Sequence, residues 1–398
     1  MDRRIVIIKE RDKIETFFLE DREAVEIRID CTSEKHLLGN IYSGRVKDIS
    51  EGMNAAFIDV LPGLTCYYPL SEMEHAVFLK QCRPGKITQD DLLLVQISRE
   101  SIKTKYPSVT TNVTIPGRYL VLTSGDRRIS LSSKISGDAR DELRSLLQEN
   151  TADRHGFIIR TNAAEAGKEE ILAEAVRLEA EFGDVLARAH SSRPQSLLYE
   201  SIPDYVRGLQ DFYSEGLSKI VTDSPSIMEQ IQRYLKETQL SMPALTELYE
   251  NRSMMLAELY STSAILKHAM QKKVWLKSGG YLIIERTETL TVIDVNTGKS
   301  EAKRKMDDYF LQINLEAAKE SARQIRLRNL SGIILIDFIN LRDNKRTEQI
   351  CEELCKYFDK DPVHTEVVDV TKLQLVEITR KKIRKPLEEY FKNASSEI

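Results

Sequence analysis

The sequence predicts a multidomain protein that joins an all-β barrel to mixed α/β units, and three observations carry that expectation. A chain of 398 residues exceeds what one hydrophobic core usually supports; at roughly 150 residues per domain it should hold about two to four folding units. From about Gly39 to Ile115 short strand-like runs alternate with turns, the spacing of a small antiparallel barrel. Beyond about residue 270 strand-like and helical runs alternate instead, as in an α/β unit.

In chain order, residues 1–35 offer two strand-like runs, Ile5–Lys9 and Ala24–Ile29, too few to fold alone. The barrel strands are Ile41–Val46, Ala55–Val60, Thr65–Pro69 and Leu92–Ser98. Residues 117–208 combine strands at Tyr119–Thr123 and Phe157–Arg160 with a long helix. In that helix Ile171, Ala175, Leu178, Phe182 and Val185 recur at three- and four-residue steps and build one apolar stripe. Residues 209–270 are mostly helical, with a strand-like Ser218–Thr222 ahead of Asp223-Ser224-Pro225, where Ser and Pro mark a helix start. Tyr281–Arg286 and Leu290–Val295 form a hairpin across Thr287–Glu288. A helix from about Asp307 to Arg328 stops at Asn329–Gly332, and Ile333–Ile339 reads as a buried strand.

With 41% hydrophobic and 30% charged residues the chain is globular rather than disordered, collagenous or membrane-embedded. No apolar run approaches the roughly 20 residues needed to cross a bilayer, and the N-terminal apolar stretch is too short for a signal peptide, so a cytoplasmic protein is expected. Five scattered cysteines fit reduced thiols. The net charge of -4 argues against a chain dedicated to coating nucleic acid. It leaves two local basic patches, Arg323/Arg326/Arg328 and Arg380/Lys381/Lys382/Arg384/Lys385, each more often a solvated helix face than a binding site.

The chemistry-bearing residues lie late in the chain. In Thr291-Val-Ile-Asp-Val-Asn-Thr-Gly298 strand alternation points Asp294 and Asn296 the same way. In Ile333-Ile-Leu-Ile-Asp-Phe-Ile339 a lone Asp337 interrupts a run with every mark of a core strand. An ionised carboxylate there needs compensation, which an arginine or a magnesium ion could give. Capping the following turn accounts for one such aspartate equally well; two Asp-bearing strand ends in one α/β unit shift the balance. Magnesium takes one or two protein carboxylates and completes its octahedron with waters and substrate phosphate. Asp294 and Asp337 would supply that minimal cage, suited to orienting a water for in-line attack on a phosphodiester, with Asn296 bonding the water or the phosphate. The six histidines form no ligand cluster, which leaves serine-triad and zinc hydrolysis without support.

Two segments make a long, ordered match. Lys273-Val-Trp-Leu-Lys-Ser-Gly-Gly-Tyr-Leu-Ile-Ile, continuing through Thr287-Glu-Thr-Leu-Thr-Val-Ile-Asp-Val-Asn-Thr-Gly298, resembles the catalytic core of the ribonuclease E/G family. So does Asn314-Leu-Glu-Ala-Ala-Lys-Glu-Ser-Ala-Arg-Gln-Ile-Arg-Leu-Arg-Asn-Leu-Ser-Gly-Ile-Ile-Leu-Ile-Asp-Phe-Ile339. The resemblance implies that Asp294 and Asp337 hold a catalytic magnesium, which manganese can replace, and that Asn296 assists. It also implies a DNase I-like catalytic domain over 271–398 and a discontinuous RNase H-like domain from 1–35 plus 209–270, structural and without nuclease activity.

The barrel matches separately. Gly39-Asn-Ile-Tyr-Ser-Gly-Arg-Val, Ala55-Ala-Phe-Ile-Asp-Val and Tyr67-Tyr-Pro-Leu-Ser-Glu resemble the family's OB-fold RNA-binding domain, here 36–116. The resemblance puts Phe57, Tyr67 and Lys105 on RNA, whereas alternation alone favours the two aromatics as barrel core. Gly156-Phe-Ile-Ile-Arg-Thr161 with Gly117-Arg-Tyr-Leu-Val-Leu122 resembles the family's 5′-monophosphate sensor, here 117–208. Arg160 and Thr161 would clamp the phosphate, with Gly117 and Val121 lining the pocket. Ser133 falls where a supporting arginine often stands, and Arg127 or Arg128 could substitute, so weaker or altered sensing is expected.

The family often continues into a Cys-Pro-x-Cys segment that shares zinc between subunits; this sequence has none, and no zinc link is expected. The implied function is a single-strand-specific, magnesium-dependent endoribonuclease that leaves 5′-phosphate and 3′-hydroxyl ends in mRNA decay and rRNA or tRNA processing. The expected partners are single-stranded RNA and a second copy through the catalytic domain, with no membrane and no small-molecule substrate. The alternative is a non-catalytic RNA-binding translation or ribosome-assembly factor that kept the barrel and lost the chemistry.

Overall fold

The computed structural model describes residues 2–31, 37–100, 106–132, 135, 137–151, 155–203, 205–206, 208–209, 217–237, 246–298, 306–341 and 343–392. The chain forms two compact units, one from Met1–Glu34, Asp211–Gln232 and Met242–Ile398, the other from Lys35–Gln210 and Arg233–Ser241. Strands are numbered β1 to β22 in chain order.

The first unit begins with a five-stranded sheet. β1 (Arg3–Lys9), β2 (Lys13–Glu20) and β3 (Glu23–Cys31) run antiparallel, and β15 (Leu217–Thr222) and β16 (Thr246–Leu248) continue from β1 in parallel. The N-terminal segment thus holds three strands where the sequence suggested two. The missed one, β2, is central: Ile5, Phe18 and Ile220 make a fully buried row on one face, and Val6, Phe17 and Val221 a buried row on the other. A strand buried on both faces loses the period-two signal by which strands are recognised.

The second sheet of this unit has six strands in the order β17 (Lys273–Trp275), β18 (Tyr281–Arg286), β19 (Leu290–Asn296), β20 (Gly332–Asp337), β22 (Leu375–Arg380) and β21 (Thr365–Val370). β18 and β19 form the expected hairpin, and the helix Met306–Leu327 carries the chain from β19 to a parallel β20. One face, including Leu282, Ile293, Ile334, Ile336 and Ile378, packs with Ile313 and Ala317 of that helix and Leu354 of the helix Asn344–Phe358. The other face is open. Ile333 is 51% exposed, Leu335 half-buried and Asp337 exposed. The expectation of a buried strand at Ile333–Ile339 holds for one face, with Ile334, Ile336 and Phe338 buried, and is corrected for the other, where apolar residues on the uncovered face mimicked a core strand.

Four arginines of the two basic patches are engaged within the unit. Arg323 pairs with Glu320 and donates to the Ala24 carbonyl, Arg326 pairs with Glu26, and Arg328 is buried beside Gln324. Arg380 is buried against Asp361 at 2.7 Å and donates to Asn329 Oδ1 and the Leu330 carbonyl. These guanidinium groups tie the first unit together internally.

In the second unit β4 (Ile41–Ser50), β5 (Ala55–Leu61), β6 (Leu64–Pro69), β9 (Ser108–Thr110) and β8 (Leu92–Arg99) pair in that order. β8 then returns to β4, closing a five-stranded barrel consistent with an OB-fold. Val46, Ile58, Cys66, Tyr68, Leu93 and Val95 fill it. Gly44 is required there, since a Cβ would stand 2.5 Å from Ile58 Cγ2. β7 (Phe78–Lys80) and β14 (Ser196–Tyr199) extend the sheet.

The rest of this unit is a four-stranded sheet of β10 (Thr114–Pro116), β11 (Leu120–Thr123), β13 (Gly156–Ile159) and β12 (Ile129–Leu131), with helices Asp138–Asn150 and Lys168–Ser191. The stripe Ile171, Ala175, Leu178, Phe182 and Val185 is buried as its spacing predicts. Among the described residues no two cysteines are joined in a disulfide, and no helix is long and apolar enough to cross a membrane.

Candidate functional site

The parallel pairing of β19 and β20 sets Asp294 directly beside Asp337 at the ends of adjacent strands, on the open face. Asn296 Nδ2 donates to Asp294 Oδ2 at 2.8 Å, so the sequence-predicted trio is brought together. Partial burial, and then the neighbouring Asp294 charge, push the Asp337 carboxyl above the usual range. Among the described residues no arginine or lysine pairs with Asp337, and no turn N–H is capped by it. Two facing carboxylates without a cation repel, and a hard divalent ion is the species that relieves both. The described residues hold no group of three or more His, Cys, Asp or Glu that could cage a metal. Two adjacent carboxylates are donors of the kind a hard divalent ion such as magnesium takes alongside waters.

Several residues that the sequence reading did not single out hold this geometry. Asn314, fully buried on the long helix, donates from Nδ2 to the Ile339 carbonyl at 2.7 Å and accepts from the Ile339 N–H at 3.0 Å. It fixes the chain two residues beyond Asp337. Glu316 accepts the backbone N–H groups of Lys277 and Ser278 and ties the β17–β18 turn to the same helix. Gly298, at φ +68°, lies where a Cβ would meet the Gly279 carbonyl at 2.2 Å, and a Cβ on Gly280 would stand 2.8 Å from the Asn296 carbonyl. The glycines thus let the turn close against the strand that bears Asn296. Beyond that turn, Lys273, Trp275 and Tyr281 cluster on β17 and β18. Only pairing register shows this cluster.

On the barrel, Phe57 and Tyr67 are opposed across β5 and β6 and only half-buried, while Ile58, Cys66 and Tyr68 point inward. The core assignment suggested by alternation alone is thus overturned. Phe57 meets Tyr67 edge to face at 6.4 Å and Tyr106 at 5.5 Å, and Tyr106 is 56% exposed. Tyr106 was missed because it follows no strand-like run; Lys105 lies outside the described residues.

In the four-stranded sheet Arg160 and Thr161 follow β13. Arg160 Nη1 donates to the Gly117 carbonyl at 3.2 Å, and Thr161 Oγ1 is 3.2 Å from Ser132 Oγ. Val121 pairs with Ile158 two residues before Arg160, so all four predicted residues share one end of the sheet. Glu174 holds the loop: its carboxylate accepts the backbone N–H groups of Arg118, Tyr119 and Leu120 at 2.6–2.9 Å. A Cβ on Gly117 would strike it at 2.6 Å. The legible signal was a glutamate within the apolar stripe, three residues after Ile171. Ser133 lies outside the described residues, and Arg128 is engaged by Asp126 at 2.9 Å.

Comparison with known proteins identifies the family. A family model described as the ribonuclease E/G family matches residues 114–383. Ribonuclease G of Escherichia coli (strain K12) is 33% identical over 379 residues, covering 92% of this chain and 77% of that protein. Ribonuclease G of Haemophilus influenzae is 32% identical over 377 residues, covering 91% and 76%. Ribonuclease E of Nostoc sp. (strain PCC 7120) is 32% identical over 397 residues, covering 97% of this chain and 57% of that protein. With a family model matched over residues 114–383 and relatives 32–33% identical across more than nine-tenths of its length, the chain belongs to the ribonuclease E/G family.

Proposed function

We propose that this endoribonuclease hydrolyses single-stranded RNA with magnesium bound at Asp294 and Asp337, leaving 5′-phosphate and 3′-hydroxyl ends. The observation that carries the proposal is the in-register carboxylate pair, with Asn296 alongside, on an open sheet face. When bound, magnesium would polarise a water and offset charge on the attacked phosphate. Asn296 commits its amide nitrogen to Asp294, which leaves its carbonyl oxygen to accept a proton donor such as the attacking water. The buried Asn314 holds Asp337 in register by clamping Ile339.

The reading assigns residues 271–398 to a DNase I-like catalytic domain, supported by the one-sided packing of the six-stranded sheet. It assigns 1–35 with 209–270 to an RNase H-like structural domain, supported by a sheet of three antiparallel strands extended by two parallel ones. Residues 36–116 would bind unpaired bases through Phe57, Tyr67 and Lys105, because half-buried rings that keep an accessible face can stack on any base. In 117–208, Gly117, Val121, Arg160 and Thr161 would receive a 5′-monophosphate. Equal cleavage of hydroxyl- and monophosphate-ended RNAs would remove that sensor from the proposal. The work proposed is mRNA decay and rRNA or tRNA processing in the cytoplasm, by a homodimer formed through 271–398, where Val368 and Leu373 are 53% and 79% exposed.

The test is cleavage of a 5′-labelled single-stranded RNA with magnesium by wild type, Asp294→Asn and Asp337→Asn. Loss of about a thousandfold or more in both variants, with RNA binding retained, is the expected result. Binding without cleavage by the wild type would replace the proposal with a non-catalytic RNA-binding role.

A further inference from the structure

The chain's only tryptophan lies on the open face of the six-stranded sheet, 65% exposed. Trp275 of β17 is directly opposite Tyr281 of β18, which is directly opposite Asn296 of β19. The next row reads Lys273, Ile283, Asp294, Asp337 across four strands. Opposed residues on neighbouring strands share a face, so the two rings, the ammonium group and both carboxylates stand on one surface. At about 4.8 Å per strand, Tyr281 is one step from Asn296 and Trp275 two steps, roughly 10 Å.

The cluster is ordered. The Trp275 and Tyr281 rings meet edge to face, with centroids 5.3 Å apart. Lys273 Nζ lies 3.9 Å from the first centroid and 3.7 Å from the second. Large aromatic rings ordinarily bury themselves, and the covered face of this sheet is one strand residue away. Here Trp275 faces solvent and Tyr281 is half-buried beside it, with a cation set between them, one and two strands from the carboxylates. Accessible rings with an adjacent cation suit a nucleobase joined to a phosphate.

We propose that Trp275 and Tyr281, with Lys273, form a base-stacking subsite for the nucleotide beside the scissile phosphate. The inference rests on the endoribonuclease reading and deepens it by naming where a base sits relative to Asp294 and Asp337. The rings receive the face of an unpaired base, and Lys273 answers the charge of its phosphate. A paired base cannot present that face without leaving its duplex, so the subsite selects single strands at the point of cleavage.

Because Trp275 is the only tryptophan, its fluorescence reports on this subsite alone. The whole chain carrying Asp337→Asn is titrated with a short single-stranded RNA, binding being followed in parallel by anisotropy of a labelled copy. Saturable quenching of Trp275 with the same midpoint as the anisotropy change is expected, and a duplex of the same sequence should leave the emission unchanged. In the otherwise native enzyme, Trp275→Ala should raise KM for single-stranded RNA about tenfold, with Trp275→Phe restoring most of the loss. RNA binding by anisotropy without any change in Trp275 emission overturns the subsite and leaves the carboxylate site standing, as does a Trp275→Ala enzyme with wild-type KM. A wild-type chain that cuts no RNA overturns the endoribonuclease reading and the subsite with it.

Discussion

The two sheets of the first unit treat carboxylates in opposite ways. The five-stranded sheet is buried on both faces, the six-stranded sheet on one. Within the first, burial alone would push the Glu26 carboxyl up, but Arg28 at 2.6 Å and Arg326 at 2.9 Å override it and hold the group at about 2. Glu15, in the same sheet, is pushed up to about 7 by burial, reinforced by Glu10 and only partly offset by Lys13. In the second sheet Asp337 stays accessible and faces Asp294 with no fixed cation among the described residues. A fully covered sheet must neutralise or cage its acids from within. An open face can hold a repelling pair for an ion and a substrate that arrive from solvent.

The contrast can be broken at its strongest point first. Arg28→Met leaves Glu26 buried with half of its compensation and should cost about 3 kcal/mol, read as a lower melting temperature, with cleavage per folded molecule unchanged. A matching loss of activity in the folded fraction would show that the two sheets are not functionally separate. Asn314→Ala should sharpen the comparison from the other side. It leaves the Ile339 N–H and carbonyl without their partner, costs about 2 kcal/mol, and should lower kcat because Asp337 loses its register. An unchanged kcat would reduce Asn314 to a packing residue.

The smallest expected effect is at Glu15. Its folded pKa of about 7 lies above the ordinary 4.5, so the native state keeps a proton that the unfolded chain has already released. Stability contributed by that proton is complete at and below about pH 4.5 and falls as pH rises toward 7. Glu15→Gln should therefore stabilise by about 1–3 kcal/mol at pH 8 and by progressively less toward pH 5. Chemical denaturation at the two pH values checks this; a gain independent of pH would contradict the burial account.

The sequence made some of this legible for physical reasons. The Ile171-to-Val185 stripe announced its helix because one face is buried and the other wet. Strand alternation paired Asp294 with Asn296 before any fold was known, since those residues are two apart on one strand. Asp337 was legible as an anomaly, but its exposure was not, because Ile333 and Leu335 are as apolar as core residues. β2 was lost for the converse reason, burial on both faces. The register that places Asp294 beside Asp337 and Tyr281 beside Asn296 joins segments distant in the chain, and single-strand periodicity carries no record of it. The resemblance named Asp294 and Asp337 as candidates; Asn314 and Tyr106 emerged only from three-dimensional contacts, while Glu174 left a trace as a glutamate within an apolar stripe.

The turn at Gly279–Gly280 and the strand end at Gly298 bear on how a lapsed copy of this enzyme would look. A side chain at 298 would collide with the Gly279 carbonyl, so the site depends on atoms that are absent as much as on the carboxylates that are present. A gene duplicate that retained Asp294, Asn296 and Asp337 but replaced Gly298 would pass a check of the proposed catalytic residues while its strand no longer closed on the turn. Screening genomes for pseudoenzymes of this kind should therefore score the glycines alongside the acids.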